Sequence, residues 1–171
     1  MSKSQGQSHL ILGGRRSGKS TYAENLALRS HLPKTYVATS RIYDDDHRAR
    51  IASHRQRREG QGWQLLEVPK ALDLQERLYN LAEQSQVVLI DCLSMWLNNV
   101  FLDGLNVPEL KIPKERAQFI LVSMEVGLGL HPQSPLGRQY ADALGHLNQA
   151  VAQQVDRVTF IAAGLPLSLK G

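Results

Sequence analysis

The sequence predicts an α/β protein with a mostly parallel sheet and helices on both faces. Short runs rich in Val, Ile and Leu alternate with longer helix-prone segments along the chain. The first run, residues 10–12, leads into a glycine-rich loop and then a helical segment. A later run, residues 87–90, ends in the acidic Asp91. This alternation is typical of parallel sheets, because each crossover between parallel strands needs a long connection, usually a helix.

The glycine-rich loop, residues 13–20, reads GGRRSGKS and matches G-x-x-x-x-G-K-[ST]. Glycines let backbone N–H groups surround a polyphosphate, and the following helix adds its positive end. Lys19 would reach the β- and γ-phosphates, and the Ser20 hydroxyl would bind Mg²⁺. A plain glycine turn rarely combines this spacing with these flanks. We therefore expect a P-loop NTPase-like site formed by Gly13, Gly14, Arg15, Arg16, Ser17, Gly18, Lys19 and Ser20.

The other elements follow from periodicity and from helix-breaking residues. The first helix should end near Ser30, because Pro33 follows shortly after it. Asp91, after a buried run and downstream of a P-loop, has the Walker B pattern of a Mg²⁺ ligand. We expect strands at 35–39, 63–68, 87–91, 118–123, 158–163 and 167–170, and helices at 46–58, 72–84, 93–103 and 136–155.

The predicted helix 46–58 is unusually polar. His47, Arg50, His54 and Arg58 share one face, and Ile51 is its only large apolar residue. Such a helix is either a solvated surface helix or the lining of an anionic site. Periodicity alone favours the solvated helix.

Length and composition indicate one domain, residues 9–171, after a polar tail at 1–8. Residues 1–60 hold twelve Lys or Arg against five Asp or Glu, whereas residues 61–171 hold eight against eleven. Nucleic acid could explain this basic part, but aromatic residues are only 6% of the chain, so a triphosphate ligand explains it better. With no apolar run of membrane-spanning length and a single cysteine, Cys92, we expect a cytoplasmic protein.

Several further motifs occur in a fixed order: Thr39-Ser40, RIxxHRxxR at 50–58, EVGxG at 125–129, Asn148-Gln149 and GLPLxLK at 164–170. With the P-loop, they closely resemble the bifunctional adenosylcobinamide kinase / adenosylcobinamide-phosphate guanylyltransferase family of cobalamin biosynthesis. The resemblance covers nearly the whole chain. It implies a P-loop sheet with antiparallel strands near the C-terminus, ATP and GTP as substrates with Mg²⁺, a corrinoid partner, and homotrimers.

The resemblance also assigns roles to residues. It implies that His54 carries GMP covalently, and neutral imidazole is a competent nucleophile near pH 7. Lys19 is the second catalytic residue, and Ser20 and Asp91 are the implied metal ligands. Besides the P-loop, the implied nucleotide contacts are Thr39, Ser40, Arg41, Arg55, Gln56, Arg57, Arg58, Glu67 and Asp91.

The chain departs from the family pattern at three places. Met124 stands where relatives usually have asparagine, and Asp91 where some have glutamate. Only 27 residues separate Asp91 from Phe119, an interval in which relatives usually have an additional helix. Two other functions stay open from the residues alone: a simple P-loop kinase without a covalent intermediate, and a non-catalytic nucleotide- or nucleic-acid-binding module.

Overall fold

The computed structural model describes residues 7–42 and 44–171, with the backbone alone at 46, 47, 50, 54 and 57. The N-terminal tail predicted at 1–8 therefore lies largely outside the described residues. The elements are β1 (Ser8–Gly13), α1 (Lys19–Leu28), β2 (Lys34–Ala38), α2 (Asp45–Arg58), β3 (Trp63–Glu67), α3 (Asp73–Ala82), β4 (Val87–Asp91), α4 (Leu93–Leu102), β5 (Gln118–Met124), α5 (Pro135–Gln154), β6 (Arg157–Ala162) and β7 (Leu165–Lys170).

The described strands form one seven-stranded sheet in the order β3-β2-β4-β5-β1-β6-β7. Neighbouring strands run parallel except β6 and β7, which pair antiparallel. The predicted fold class is confirmed, including the antiparallel C-terminal pair. In the described part of the chain, the helices are too short or too polar to cross a membrane.

Both faces of the sheet are covered, which explains why the central strands read as unbroken apolar runs. Leu10 and Leu12 of β1 face the cluster that also includes Leu78 and Trp96 from α3 and α4. Ile11 faces the opposite cluster, with residues of α1. Alternate side chains of one strand therefore enter two separate cores.

Strand register brings the carboxyl ends of β2, β3 and β4 to the same level. Ala38 pairs with Glu67 on one side and with Asp91 on the other. Gly13 of β1 pairs with Met124 of β5. The P-loop and both predicted carboxylates consequently lie along one edge of the sheet, where open α/β sheets bind ligands.

The N-terminal boundary differs from the prediction, because Ser8 belongs to β1 instead of the tail. Its backbone N–H and hydroxyl both donate to Asp156 Oδ2, at 2.7 and 2.9 Å. These hydrogen bonds hold the pKa of the Asp156 carboxyl below its usual value. Ser8 and Asp156 are 148 positions apart in the sequence, so no local pattern indicates this contact.

The interval between α4 and β5 contains no further helix; residues 105–117 form an irregular connection. Leu110 and Ile112 are buried in the core. The Gln154 side chain at the end of α5 donates to the Leu110 carbonyl and accepts from the Ile112 N–H, each at 3.0 Å. The short connection is thus packed against α5 by specific contacts.

His9 provides a test of how β1 is seated against β6. Its Nε2 lies 2.8 Å from Thr159 Oγ1, and burial together with Arg157 lowers the pKa of His9 to about 4. Between about pH 6.5, the usual histidine pKa, and pH 4, the unfolded chain would bind a proton that the folded chain does not. The free energy of unfolding should therefore fall as pH falls through this range.

We expect His9→Gln to make the stability of the protein less dependent on pH between 6.5 and 4. Urea unfolding at several pH values would measure this slope. His31→Gln is the matched control, since it makes the same substitution at a histidine that is exposed on a loop. An unchanged slope in His9→Gln would contradict the prediction.

Candidate functional site

A cleft of about 810 Å³ opens at the carboxyl edge of the sheet, above the P-loop. A volume of this order accommodates a nucleotide and part of a second substrate. The lining residues are Arg15, Arg16, Gly18, Lys19, Ser20, Thr21, Tyr36, Ala38, Ser40, Arg41, Ile42, Ile51, Arg55, Arg58, Leu65, Glu67, Pro69, Asp91, Cys92, Met95 and Met124.

The P-loop is closed by backbone contacts that hold its amides in a tight curve. The Ser17 N–H donates to the Gly14 carbonyl at 3.3 Å, and the Gly164 N–H donates to the Ser17 carbonyl at 2.9 Å. Gly18 precedes α1 with φ of 96°, a left-handed conformation that favours glycine. Lys19 folds back so that its Nζ donates to the Gly14 carbonyl at 3.1 Å.

Gly13 is required by close packing beneath this loop. A Cβ at this position would lie 2.5 Å from Ser17 Oγ and 2.7 Å from the Ile161 carbonyl oxygen. Gly14, the next residue, has nothing within 4 Å of the equivalent position. The two adjacent glycines therefore differ: the first permits contact with β6, whereas the second faces open space.

Ser20 and Asp91 both line the cleft, as the sequence predicts for two metal ligands. A hydroxyl and a carboxylate are the oxygen donors that Mg²⁺ prefers, and Mg²⁺ commonly takes few protein ligands beside substrate phosphates. Among the described residues there is no cluster of three or more His, Cys, Asp or Glu that could hold a metal ion. The donor set therefore fits a Mg²⁺ ion shared with a nucleotide better than a protein-only metal centre.

Asp91 has a hydrogen-bond partner that the sequence analysis missed. The Tyr36 hydroxyl donates to Asp91 Oδ2 at 2.8 Å. Burial, followed by the Asp91 charge, raises the pKa of Tyr36 well above its ordinary value, so the phenol keeps its proton. Tyr36 lies inside a strand whose pattern indicated core packing, and that pattern does not distinguish a core tyrosine from one that reaches a site.

Thr39, which the family resemblance implies as a nucleotide contact, is not among the residues that line the cleft. Its hydroxyl donates to the Cys92 carbonyl at 2.7 Å and accepts from the Cys92 N–H at 3.1 Å, and the side chain is fully buried. Asn99 donates to the Thr39 carbonyl at 2.6 Å. Thr39 thus joins the ends of β2 and β4, while Ser40 and Arg41 line the cleft.

Arg41 is held at the mouth of the cleft by ordered contacts. Its guanidinium makes two hydrogen bonds to Asp103, at 2.7 and 2.6 Å, and its Nε donates to the Pro69 carbonyl at 2.8 Å. The hydrogen bond from Arg41 lowers the pKa of Asp103. These contacts orient the arginine, and a bound phosphate would have to share it with Asp103.

One face of α2 lines the cleft. This corrects the interpretation of α2 as a solvated surface helix, which its periodicity favoured. Ile51, Arg55 and Arg58 all line the cleft, at spacings of four and three residues. By the same spacing position 54 belongs to this helical face, but the side chains of His54 and Arg57 lie outside the described residues. Gln56 is exposed and does not line the cleft.

Among the described side chains of α2, two arginines form ion pairs with neighbouring elements. Arg55 hydrogen-bonds to Glu67 at the end of β3, and both side chains are about half exposed. Arg58 is only 8% exposed; its Nη1 lies 3.2 Å from Glu24 Oε1 on α1. The Arg58 guanidinium also lies over the Tyr36 ring, 3.5 Å from its centre. Arg58 therefore lines the cleft while it is paired with α1 and packed on β2.

The cleft has an apolar wall that the sequence analysis did not predict as part of the site. Ile42, Leu65, Met95 and Met124 line it together with Cys92. Their apolar side chains are typical of core packing, so the sequence did not identify them as site residues, although Met124 departs from the family pattern. Burial, with the Asp91 charge second, raises the pKa of the Cys92 thiol to about 11.

The sequence is similar to proteins of one enzyme family along nearly its whole length. A sequence profile described as "Cobinamide kinase / cobinamide phosphate guanyltransferase" matches residues 9–169. The chain is 45% identical over 170 residues to the bifunctional adenosylcobalamin biosynthesis protein CobP of Pseudomonas aeruginosa, covering 95% of this chain and 96% of that protein. It is 31% identical to CobU of Escherichia coli over 182 residues, covering 94% and 98% of the two chains.

Similar solved structures support the fold alone. A prototypical ATPase from a bacterial type III secretion system aligns with a TM-score of 0.54 at 12% identity, covering 96% of this chain and 57% of the ATPase. The assembled ATPase EscN aligns with a TM-score of 0.52 at 13% identity, covering 95% of this chain and 48% of EscN. The chain spans about half the length of these two ATPases.

The adjacent glycines of the P-loop provide a matched pair of variants. Gly13→Ala should destabilise the protein by about 1–3 kcal/mol, because the new methyl group would overlap a backbone carbonyl that cannot easily move. Gly14→Ala should change stability by less than about 0.5 kcal/mol. Urea unfolding measures both, and equal stabilities for the two variants would contradict the packing argument.

Proposed function

The chain belongs to the cobinamide kinase / cobinamide phosphate guanyltransferase family, and we propose that one cleft performs both reactions, the second through a guanylated His54. The observation that carries the proposal is the meeting of three groups in this cleft. These are the P-loop with Lys19 and Ser20, the carboxylate of Asp91, and the face of α2 that contains Arg55.

In the kinase reaction, a nucleoside triphosphate passes its γ-phosphoryl group to a hydroxyl of the cobinamide. Lys19, whose Nζ donates to the Gly14 carbonyl in this structure, would exchange that contact for the β- and γ-phosphates. Mg²⁺ held by Ser20 and Asp91 would neutralise charge on these phosphates. The residues supply positioning and electrostatic stabilisation, which account for most catalysis of phosphoryl transfer.

In the guanylyl transfer, a ring nitrogen of neutral His54 attacks the α-phosphorus of GTP. A P–N bond forms while the P–O bond to pyrophosphate breaks. An oxygen of the cobinamide phosphate then attacks the same phosphorus, the P–N bond breaks, and histidine is released neutral. Arg55 and Arg57, beside His54 in sequence, would offset the negative charge that accumulates on the α-phosphate.

The remaining nucleotide contacts that we propose are those residues of the family pattern that line the cleft: Ser40, Arg41, Arg55, Arg58, Glu67 and Asp91. Arg57 of the same pattern is proposed with them from its position on α2. Thr39 and Gln56, which the family pattern also implies, do not line the cleft, so we propose no contact from their side chains. The apolar wall near Met95 and Met124 offers a surface for the apolar parts of a corrinoid substrate.

The covalent intermediate is tested by labelling the protein with α-³²P-GTP and Mg²⁺. We expect acid-labile, alkali-stable label on the wild type and none on His54→Ala, because a phosphoramidate is stable to alkali. His47→Ala, on the same helix, is the matched control and should keep the label. Label that persists in His54→Ala would exclude His54 as the nucleophile.

The same assay separates this proposal from a simple P-loop kinase. A kinase without a covalent intermediate would transfer γ-label to cobinamide and leave no α-label on any variant. Lys19→Met should abolish both reactions, because both need the triphosphate in the P-loop. Kinase activity that survives in His54→Ala, without label, would show that the two reactions use different residues in one cleft.

We also propose that the protein is a homotrimer, as family resemblance implies. The row Leu165, Leu167 and Leu169 on the edge strand β7 is 57–71% exposed and supports association through this edge, since a second copy would cover it. We expect Leu167→Glu to lower the mass measured by light scattering, whereas Leu72→Glu, an equally exposed leucine before α3, should not. A wild-type mass equal to one chain would exclude the trimer.

A further inference from the structure

We propose that Tyr36 is a positioning residue that orients the Asp91 carboxylate toward the metal, and that Glu24 and Arg58 hold Tyr36 in place. The inference rests on the proposed role of Asp91 as a metal ligand. It concerns a buried chain of contacts that starts on α1, crosses the end of α2 and reaches the end of β4.

The first step is the reach of Tyr36 along the sheet. Tyr36 pairs in register with Leu89, so Asp91 lies two residues further along the neighbouring strand. The phenol spans this distance, and its hydroxyl donates to Asp91 Oδ2 at 2.8 Å. An aspartate side chain turns easily about its last bond. A hydrogen bond to Oδ2 restricts that rotation and leaves Oδ1 available for a cation.

The second step is the rigidity of Tyr36 itself. The side chain is only 4% exposed. Trp63 packs against the tyrosine ring in an edge-to-face arrangement, with ring centres 6.0 Å apart and planes at 90°. The Arg58 guanidinium lies over the ring, 3.5 Å from its centre. The ring is therefore held by contacts independent of its hydroxyl, as expected for a group that must present a hydrogen bond at a defined place.

The third step connects this network to the P-loop. Arg58 Nη1 lies 3.2 Å from Glu24 Oε1, and both side chains are buried. Glu24 stands four residues after Ser20 on α1, so the two lie one turn apart on the same helical face. The helix that carries one proposed metal donor thus also anchors the network that orients the other. Side chains that orient metal ligands typically change metal affinity 10- to 100-fold when removed.

The inference is tested with Mn²⁺ as the probe and GDP as the nucleotide, using electron paramagnetic resonance to measure Mn²⁺ binding to the protein–GDP complex. Tyr36→Phe keeps the ring and removes only the hydroxyl. We expect it to weaken Mn²⁺ binding about tenfold, while GDP affinity measured in EDTA stays at the wild-type value. Tyr79→Phe, a 44% exposed tyrosine on α3, is the matched control and should bind Mn²⁺ normally.

Two further variants, Asp91→Asn and the double variant Tyr36→Phe/Asp91→Asn, test whether the hydroxyl of Tyr36 acts on the metal through Asp91. If Tyr36 acts through Asp91, the double variant should bind Mn²⁺ no more weakly than Asp91→Asn alone. Losses that simply add in the double variant would overturn the inference. Arg58→Lys, which keeps the charge beside Glu24 but loses the planar stacking on Tyr36, is a second route should Tyr36→Phe not fold. We expect it to weaken Mn²⁺ binding by less than tenfold when the protein is saturated with GDP, so that any change in GDP affinity does not enter the result. An unchanged Mn²⁺ affinity in Arg58→Lys would overturn the role of Arg58 in holding Tyr36.

The possible failures are distinguishable. Unchanged Mn²⁺ affinity in Tyr36→Phe, with a clear loss in Asp91→Asn, would overturn the positioning role and leave the proposed function intact. Unchanged affinity in Asp91→Asn would overturn the proposed metal role of Asp91 and the inference with it. A wild-type protein that takes up no α-label from GTP would overturn the covalent role of His54 but neither of these results, because Mn²⁺ and GDP binding require no covalent step.

Discussion

The buried ion pair between Glu24 and Arg58 is the contact on which the arrangement of the cleft depends. The helix α2 is too polar to dock through apolar packing, and Arg58 at its last turn inserts between α1 and β2 instead. Removing one partner of such a pair leaves an uncompensated buried charge and typically costs about 3–5 kcal/mol. With α2 held at this end, Arg55 and Ile51 face the P-loop, and the helix that carries His54 forms one side of the nucleotide cleft.

The opposite side of the cleft is set by the sheet. Parallel strands end at a common edge of the sheet. The P-loop, which follows β1, and the carboxylates that end β3 and β4 therefore lie along this edge. Met95 and Met124 add apolar surface to the lining of the cleft beside these strand ends. One cleft with a P-loop at its base and a basic helix at its side is suited to chemistry at both ends of a triphosphate.

Sequence reasoning performed best where the signal is local. Side chains of one strand enter two cores, so the central strands are unbroken apolar runs that the sequence shows directly. The P-loop is likewise recognised from its own residue spacing. The order of these elements along the chain was therefore predicted correctly. It performed worst for α2, where a lack of apolar residues favoured a solvated helix. Docking by a buried arginine leaves no hydrophobic periodicity, and the partner, Glu24, stands 34 residues away. Thr39 likewise is a polar residue beside the site whose hydroxyl turns to the backbone of Cys92.

By itself, the sequence determined the parallel α/β fold, the phosphate-binding loop and, through an ordered set of motifs, the family. Each of these depends on residues close together in the chain or on their order. Only the tertiary structure decided that Tyr36 reaches Asp91, that Arg58 is paired with Glu24, and that two methionines line the cleft. These contacts join residues on different strands and helices, and their geometry follows from strand register and helix packing, which a linear pattern does not contain. The conformation of the P-loop depends on its own glycines and backbone hydrogen bonds, whereas the placement of the groups around it belongs to the folded sheet.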